Sequence, residues 1–200
     1  MDHAGEVRPG GRTARTRAAV LHAVIEELAR SGWDGVSVES VALRAGVHKT
    51  TIYRRWGDKN NLVAEALKAA AGSRIQIPDT GDIAQDLRDL ARAVQLLLAT
   101  REGAATTRAM AARSHDSDGV GQVMRALWAG RLAQVTPMIE RAVARGQLPA
   151  GTNPDDLMKH LSAPLFHRLL VTAEPVTQAN ADQAAAAALA AALAGVFVAA

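Results

Sequence analysis

The chain has 200 residues, of which 48% are hydrophobic, 22% charged and 3% aromatic, a globular composition long enough for one large core or two small ones. Its formal net charge of +3 sits entirely in residues 1–72, which hold 11 Lys and Arg against 8 Asp and Glu, while residues 73–200 balance at 12 and 12. Cysteine is absent, which excludes disulfides and thiolate metal sites, and the histidines have no ligand spacing, so neither a metal nor a cofactor is expected.

Alanine and leucine dominate over the β-branched and aromatic residues that strands favour, so the expected fold class is all-α. Residues 1–11 read as a flexible basic arm, continued by Arg12, Arg15 and Arg17. No apolar stretch follows that is long enough for export or membrane spanning, which predicts a cytoplasmic protein with no membrane partner.

The first helix is expected over about 13–30, because Val20, Leu21, Val24, Ile25 and Leu28 share one face and Ser31-Gly32 supplies a stop. Ser37 can cap a short second helix that buries Val41, Ala42 and Ala45, and Gly46 ends it. Val47 turns the chain into a third helix, about 48–56, with Ile52 inward and Lys49, Thr50, Thr51, Tyr53, Arg54 and Arg55 largely outward. Two helices joined in this way at about 37–56 make a helix-turn-helix. A helix rising ~1.5 Å per residue fits lengthwise across a major groove ~12 Å wide. The basic run from Arg44 to Lys59 favours a phosphate backbone as partner. Asp58 caps a fourth helix with Leu62, Val63, Ala66, Leu67 and Ala70 along one stripe, closing a unit that spans 12–72.

Gly32, Trp33, Val36, Ser37, Val38, Val41, Ala42, Ala45-Gly46-Val47, Thr51-Ile52-Tyr53, Trp56, Lys59 and Leu62 together resemble the TetR family of transcriptional regulators. The family pattern has a Gly-aromatic turn, a Thr/Ser cap, an Ala-Gly-Val turn, a Thr-Leu-Tyr recognition helix, an aromatic and a Lys-x-x-Leu. The resemblance implies a homodimer on double-stranded operator DNA. It further implies base contacts from Lys49 and Thr50, with lysine able to bond guanine O6 and N7, and phosphate contacts from Ser37, Thr51, Tyr53, Arg55 and Lys59. His48 stands where the family usually has a capping Ser and can alter base preference. Asn60-Asn61 replaces an acidic pair, and Asn61 is too short to complete a capping box as Glu would. Tyr53 reads equally as a half-buried brace, and Trp56 as core.

Residues 73–81, with Pro78 and Gly81, read as a connection to a helical ligand-binding and dimerisation unit over 82–200. Asp82 caps a helix to about 100 with Ile83, Leu87, Leu90, Val94 and Leu97 on one face. A shorter helix is expected over 103–113. A long one follows over 120–145, with Val123, Leu127, Trp128, Val135, Ile139 and Val143 inward and a kink at Pro137. Asn153-Pro154 opens a helix striped by Leu157, Leu161, Leu165 and Leu169 and bent at Pro164, and Thr177 starts an alanine-rich last helix.

In the family the last two helices pack against their twins, which implies Leu161, Leu165, Leu189, Leu193, Val196 and Phe197 at a dimer interface. The implied pocket lies among residues 82–170, with Met110, Trp128, Leu132, Met138, Phe166 and His167 as wall candidates. Few charges fall at inward positions of the pattern, so a small apolar or amphipathic inducer is expected. The turn chemistry of His115-Asp116-Ser117-Asp118-Gly119 accounts for that segment without a bound cation.

The leading expectation is a repressor released by its inducer, and not an enzyme. A ligand-independent DNA-organising dimer is one alternative. A DNA-acting enzyme is another, but no phosphate loop, catalytic triad or metal cage can be assembled for it.

Overall fold

A computed structural model describes residues 11–71, 76–113 and 118–198, with the side chains of residues 12, 71, 113, 118 and 119 excepted. The basic arm before residue 11, residues 72–75 at the start of the expected connection, and residues 114–117 lie outside the described residues. Nine α-helices occur among the described residues: α1 (Gly11–Gly35), α2 (Val38–Ala45), α3 (Lys49–Trp56), α4 (Lys59–Ala71), α5 (Ile83–Ala99), α6 (Arg101–Arg113), α7 (Asp118–Ala144), α8 (Pro154–His167) and α9 (Gln178–Leu193). The all-α expectation therefore holds. None of these helices is long and apolar enough to cross a membrane.

Local chemistry sets the helix ends. α1 breaks at Gly32, whose φ of 67° lies in the left-handed region, and Trp33 after it turns into the core. Ser37 accepts from the Ser40 amide while the Ser40 hydroxyl accepts from the Ser37 amide, a reciprocal cap on α2. Gly46, at φ 66° and ψ 34°, ends that helix and returns its amide to the carbonyls of Ala42 and Leu43. Asp82, Asn153 and Thr177 cap α5, α8 and α9 as their side chains predict.

Two apolar clusters form. The first gathers Val20, Val24, Leu28, Val41, Ile52, Trp56, Leu62 and Leu67 from α1–α4, and it also takes Ala109 from α6 and Val120 from α7. The second joins α5, α7, α8 and α9 around Leu87, Leu90, Met138, Ile139, Leu157, Leu161 and Leu165. Bonds remote in sequence tie its helices together. Arg92 donates twice to Asp182, at 2.6 and 2.9 Å, and the buried Gln95 amide donates to the Val176 carbonyl at 2.9 Å.

One expectation is corrected. In α5 the buried residue is Leu98, with Leu97 only half-buried, because the 3.6-residue period carries the apolar stripe one position further by the helix end. α7 runs through Pro137 as one helix. α8 likewise continues through Pro164 and is followed by a π-helical turn, Arg168–Thr172. Pro137 and Pro164 both lie on exposed positions, as do Ala133 and His160, so the carbonyls left without an amide donor can be solvated.

Candidate nucleic-acid interface

The candidate recognition surface is built on α3, whose two faces differ in kind. Ile52 and Trp56 are buried in the first cluster, which fixes the helix's rotation about its axis. Lys49, Thr50, Tyr53, Arg54 and Arg55 are exposed, and Thr51 is half-buried between the faces. His48 occupies the N-cap position with extended backbone and no side-chain cap bond. The first amides of α3 therefore keep their partial positive charge available.

Trp56 is more than core filling. Its indole N–H donates to Glu65 Oε2 at 2.8 Å, and Arg17 Nε donates to Glu65 Oε1 at 2.6 Å. One carboxylate of α4 thus holds the end of α3 and the start of α1 together. Arg55 lies over the Trp56 ring at 5.3 Å, which directs this cation along the helix end. Thr13, Thr16, Arg17, Thr51, Arg54 and Arg55 surround a cleft of about 470 Å³ between α1 and α3, an opening rich in hydroxyls and guanidinium groups.

A second carboxylate fixes α2. Glu27 is buried, and it accepts from Arg44 Nε at 2.6 Å and from Arg30 Nη2 at 2.7 Å. The Arg30 hydrogen bond, assisted by Arg44 and opposed by burial, holds the Glu27 carboxyl below its ordinary value. Lys59 Nζ donates to the Trp33 carbonyl at 2.8 Å and sits over the Trp33 ring. That contact clamps the end of α1 to α4. Ser37 is half-buried at the start of α2. Asn61 bonds the side chain of Asp58 and leaves the Asp58 amide alone, as its length predicts. The sequence reading missed Glu27 and Glu65, whose partners Arg44, Arg17 and Trp56 stand 17, 48 and 9 residues away.

The six candidate pocket residues do not gather in one place. Met110 packs against the first cluster, Met138 is fully buried in the second, and His167 is exposed. Trp128 and Phe166 do meet, and with Lys159, Ser162 and Ala163 they line a cleft of about 360 Å³ between α7 and α8. Leu132 is half-buried one turn along α7. A charge lies inward after all. Arg131 shares the face of α7 that carries Val135, Met138 and Ala142, at spacings of four, seven and eleven residues. No group of three or more potential metal ligands forms among the described residues.

The residues expected at a dimer interface also divide. Leu161, Leu165 and Phe197 are buried within the protomer, so their apolar area is already removed from water and is not available to a partner. Leu189 is half-buried, whereas Leu193 and Val196 are 58% and 61% exposed.

Comparison with known proteins matches residues 20–66 to the family model described as bacterial regulatory proteins, tetR family, and residues 77–188 to a tetracyclin repressor-like C-terminal domain. The chain is 36% identical over 162 residues to the DNA-binding transcriptional repressor TetR of Mycobacteroides abscessus, covering 77% of this chain and 82% of that protein. It is 34% identical over 152 residues to the transcriptional regulator AqdR of Rhodococcus erythropolis, covering 76% and 72% respectively. Among solved structures, the flavonoid-responsive regulator FrrA superposes with a TM-score of 0.68 at 21% identity, covering 91% of this chain and 97% of the other.

Proposed function

Because the chain belongs to the TetR family of DNA-binding transcriptional regulators, we propose that it is a dimeric repressor that leaves its palindromic operator when a small molecule binds between the C-terminal helices. The observation that carries the DNA-binding part is the division of α3 into a buried Ile52-Trp56 face and an exposed face of Lys49, Thr50, Tyr53, Arg54 and Arg55. Lys49 and Thr50, at the start of the helix, read base edges. Arg55, Thr51, Tyr53, Lys59 and the Ser37 hydroxyl hold phosphates, and His48 lies beside the bases.

Dimerisation uses the solvent side of α8 and α9. The Asn153 amide donates to the Phe197 carbonyl at 2.8 Å, so the start of α8 lies beside the end of α9 and the two helices are antiparallel. Leu170 and Val171 are exposed at one end of the pair, and Leu193, Val196 and Val198 at the other. Ala186, Ala187 and Ala190 are exposed between these ends. A two-fold axis would bring each apolar end against the other end of the twin, with alanines allowing close approach. A contiguous apolar surface of this kind marks a site of interaction. Repression and ligand response are supported by the repressor from Mycobacteroides abscessus and by the flavonoid-responsive neighbour, each of which bears that property in its own name.

Nuclease footprinting over the promoter regions beside the encoding gene tests the reading. One short two-fold footprint that disappears on adding an effector is the expected result. Binding without a sequence-limited footprint would instead identify a DNA-organising dimer.

A further inference from the structure

We propose that Arg131 anchors an anionic head group, so that the molecule bound between α7 and α8 is an amphipathic anion such as an aryl carboxylate. The position of this residue is unusual for its chemistry. α7 turns Val135, Met138 and Ala142 into the second cluster, all fully buried, and Arg131 continues the same face one turn earlier. It is half-buried, and among the described residues its guanidinium has no hydrogen bond or ion pair. A half-buried guanidinium has given up part of its hydration, and an anionic partner would offset that loss. Burial with no opposing partner also lowers the Arg131 guanidinium from its ordinary value.

The neighbouring cleft supplies the remainder of such a site. Trp128 stands three residues before Arg131 on α7, a spacing that makes two side chains neighbours on a helix surface. With Phe166, Ala163 and the stem of Lys159 it forms an apolar wall. Each polar group in this wall already has one partner. The Trp128 indole donates to Asp155 at 2.7 Å, Lys159 pairs with the same carboxylate at 2.7 Å, and the Ser162 hydroxyl donates to the Met158 carbonyl at 2.9 Å. Lys159 keeps spare N–H donors at the exposed rim of the cleft, whereas Arg131, one turn along α7 from Trp128, has no side-chain partner among the described residues, and its planar fork matches a carboxylate in two-pronged geometry. An aromatic body on Trp128 and Phe166 with a carboxylate on Arg131 satisfies both parts.

This inference deepens the ligand-responsive reading and rests on it only for the consequence at the operator, since binding itself is measurable without DNA. The test is thermal denaturation of the full chain with phenylbutyrate and indolepropionate, each compared with its uncharged amide. A carboxylate at a hundredfold excess over its Kd should raise the melting temperature of the wild type by about 5–10 °C. The amide should bind at least ~10-fold more weakly, the equivalent of one lost charge-assisted contact. Arg131→Met, which keeps the stem and removes the charge, should abolish the difference while folding as well as the wild type or better. If that variant unfolds, Arg131→Lys serves instead, and it should retain a weakened preference for the carboxylate.

Equal shifts from acids and amides overturn the proposal. So does the absence of any acid-specific shift in the wild type together with a lower melting temperature for Arg131→Met, which would make Arg131 structural. Operator release by uncharged effectors, undiminished in Arg131→Met, would overturn the anion site and leave the regulator reading standing. Carboxylate binding without operator release would do the reverse.

Discussion

Trp56 at the end of the recognition helix donates its indole hydrogen to Glu65 of α4 across 2.8 Å. The same carboxylate takes Arg17 from α1, so the orientation of α3 is set by a residue on the helix that leads toward the C-terminal bundle. A rotation of α4 would therefore act directly on α3. Glu65→Ala should cost about 1–2 kcal/mol of stability, a charged hydrogen-bond contribution reduced by partial exposure. Operator affinity should fall further than this because α3 loses its brace. Denaturant titration and fluorescence anisotropy measure the two separately, and a variant with unchanged stability and affinity would show that the contact is idle.

Glu27 gives α2 its pH dependence. Its carboxyl is lowered from 4.5, first by the Arg30 hydrogen bond, so the folded state binds this proton more weakly than the unfolded chain does. The stability it contributes is present above the ordinary carboxylate range and is lost as pH falls through the lowered folded value. Asp155, held down by Lys159, and Asp182, held down by Arg92, act in the same direction. Glu27→Gln should lower stability at neutral pH and flatten part of the decline below 4.5. Melting curves from neutral pH to about pH 3 check the sign, and an unchanged slope would remove Glu27 from the account.

Lys49 and Arg55 should fail differently. Lys49→Ala at the head of α3 should relax base preference at one position of each half-site. Arg55→Ala, at the other end of the helix, should weaken all sequences alike and reduce the salt slope by ~1. Affinities for a specific and a scrambled duplex across a salt series separate these outcomes. Equal losses on both duplexes for both variants would mean that Lys49 reads no base.

The α9 surface makes a comparable pair with the core beneath it. Leu193→Glu places a carboxylate on a side chain that is 58% exposed in the protomer, so helicity should persist while the dimer dissociates. Leu161→Glu places the same charge where exposure is 0% and should unfold the chain. Sedimentation velocity with circular dichroism distinguishes them, and a Leu193→Glu dimer as tight as the wild type would move the interface elsewhere.

The primary sequence determined the helices themselves. The caps at Ser37, Asp82, Asn153 and Thr177, the left-handed stop at Gly46 and the stripe Leu157-Leu161-Leu165-Leu169 all depend on residues within a turn or two of one another. Such short-range chemistry needs no knowledge of neighbouring helices. The helix-turn-helix and the exposed face of α3 were legible for the same reason. Tertiary packing alone decided the partners: Glu27 with Arg44, Glu65 with Arg17, and Arg92 with Asp182, 90 residues apart. It also decided which apolar side chains were already covered. Leu161 and Leu193 look alike along their helices, yet one lies in the protomer's core and the other faces outward. Periodicity marks an apolar stripe but not which part of it a neighbouring helix will cover. Arg131 passed unnoticed because a single charge barely alters that periodicity, and only the packing of α7 made its inward position and its lack of a partner visible.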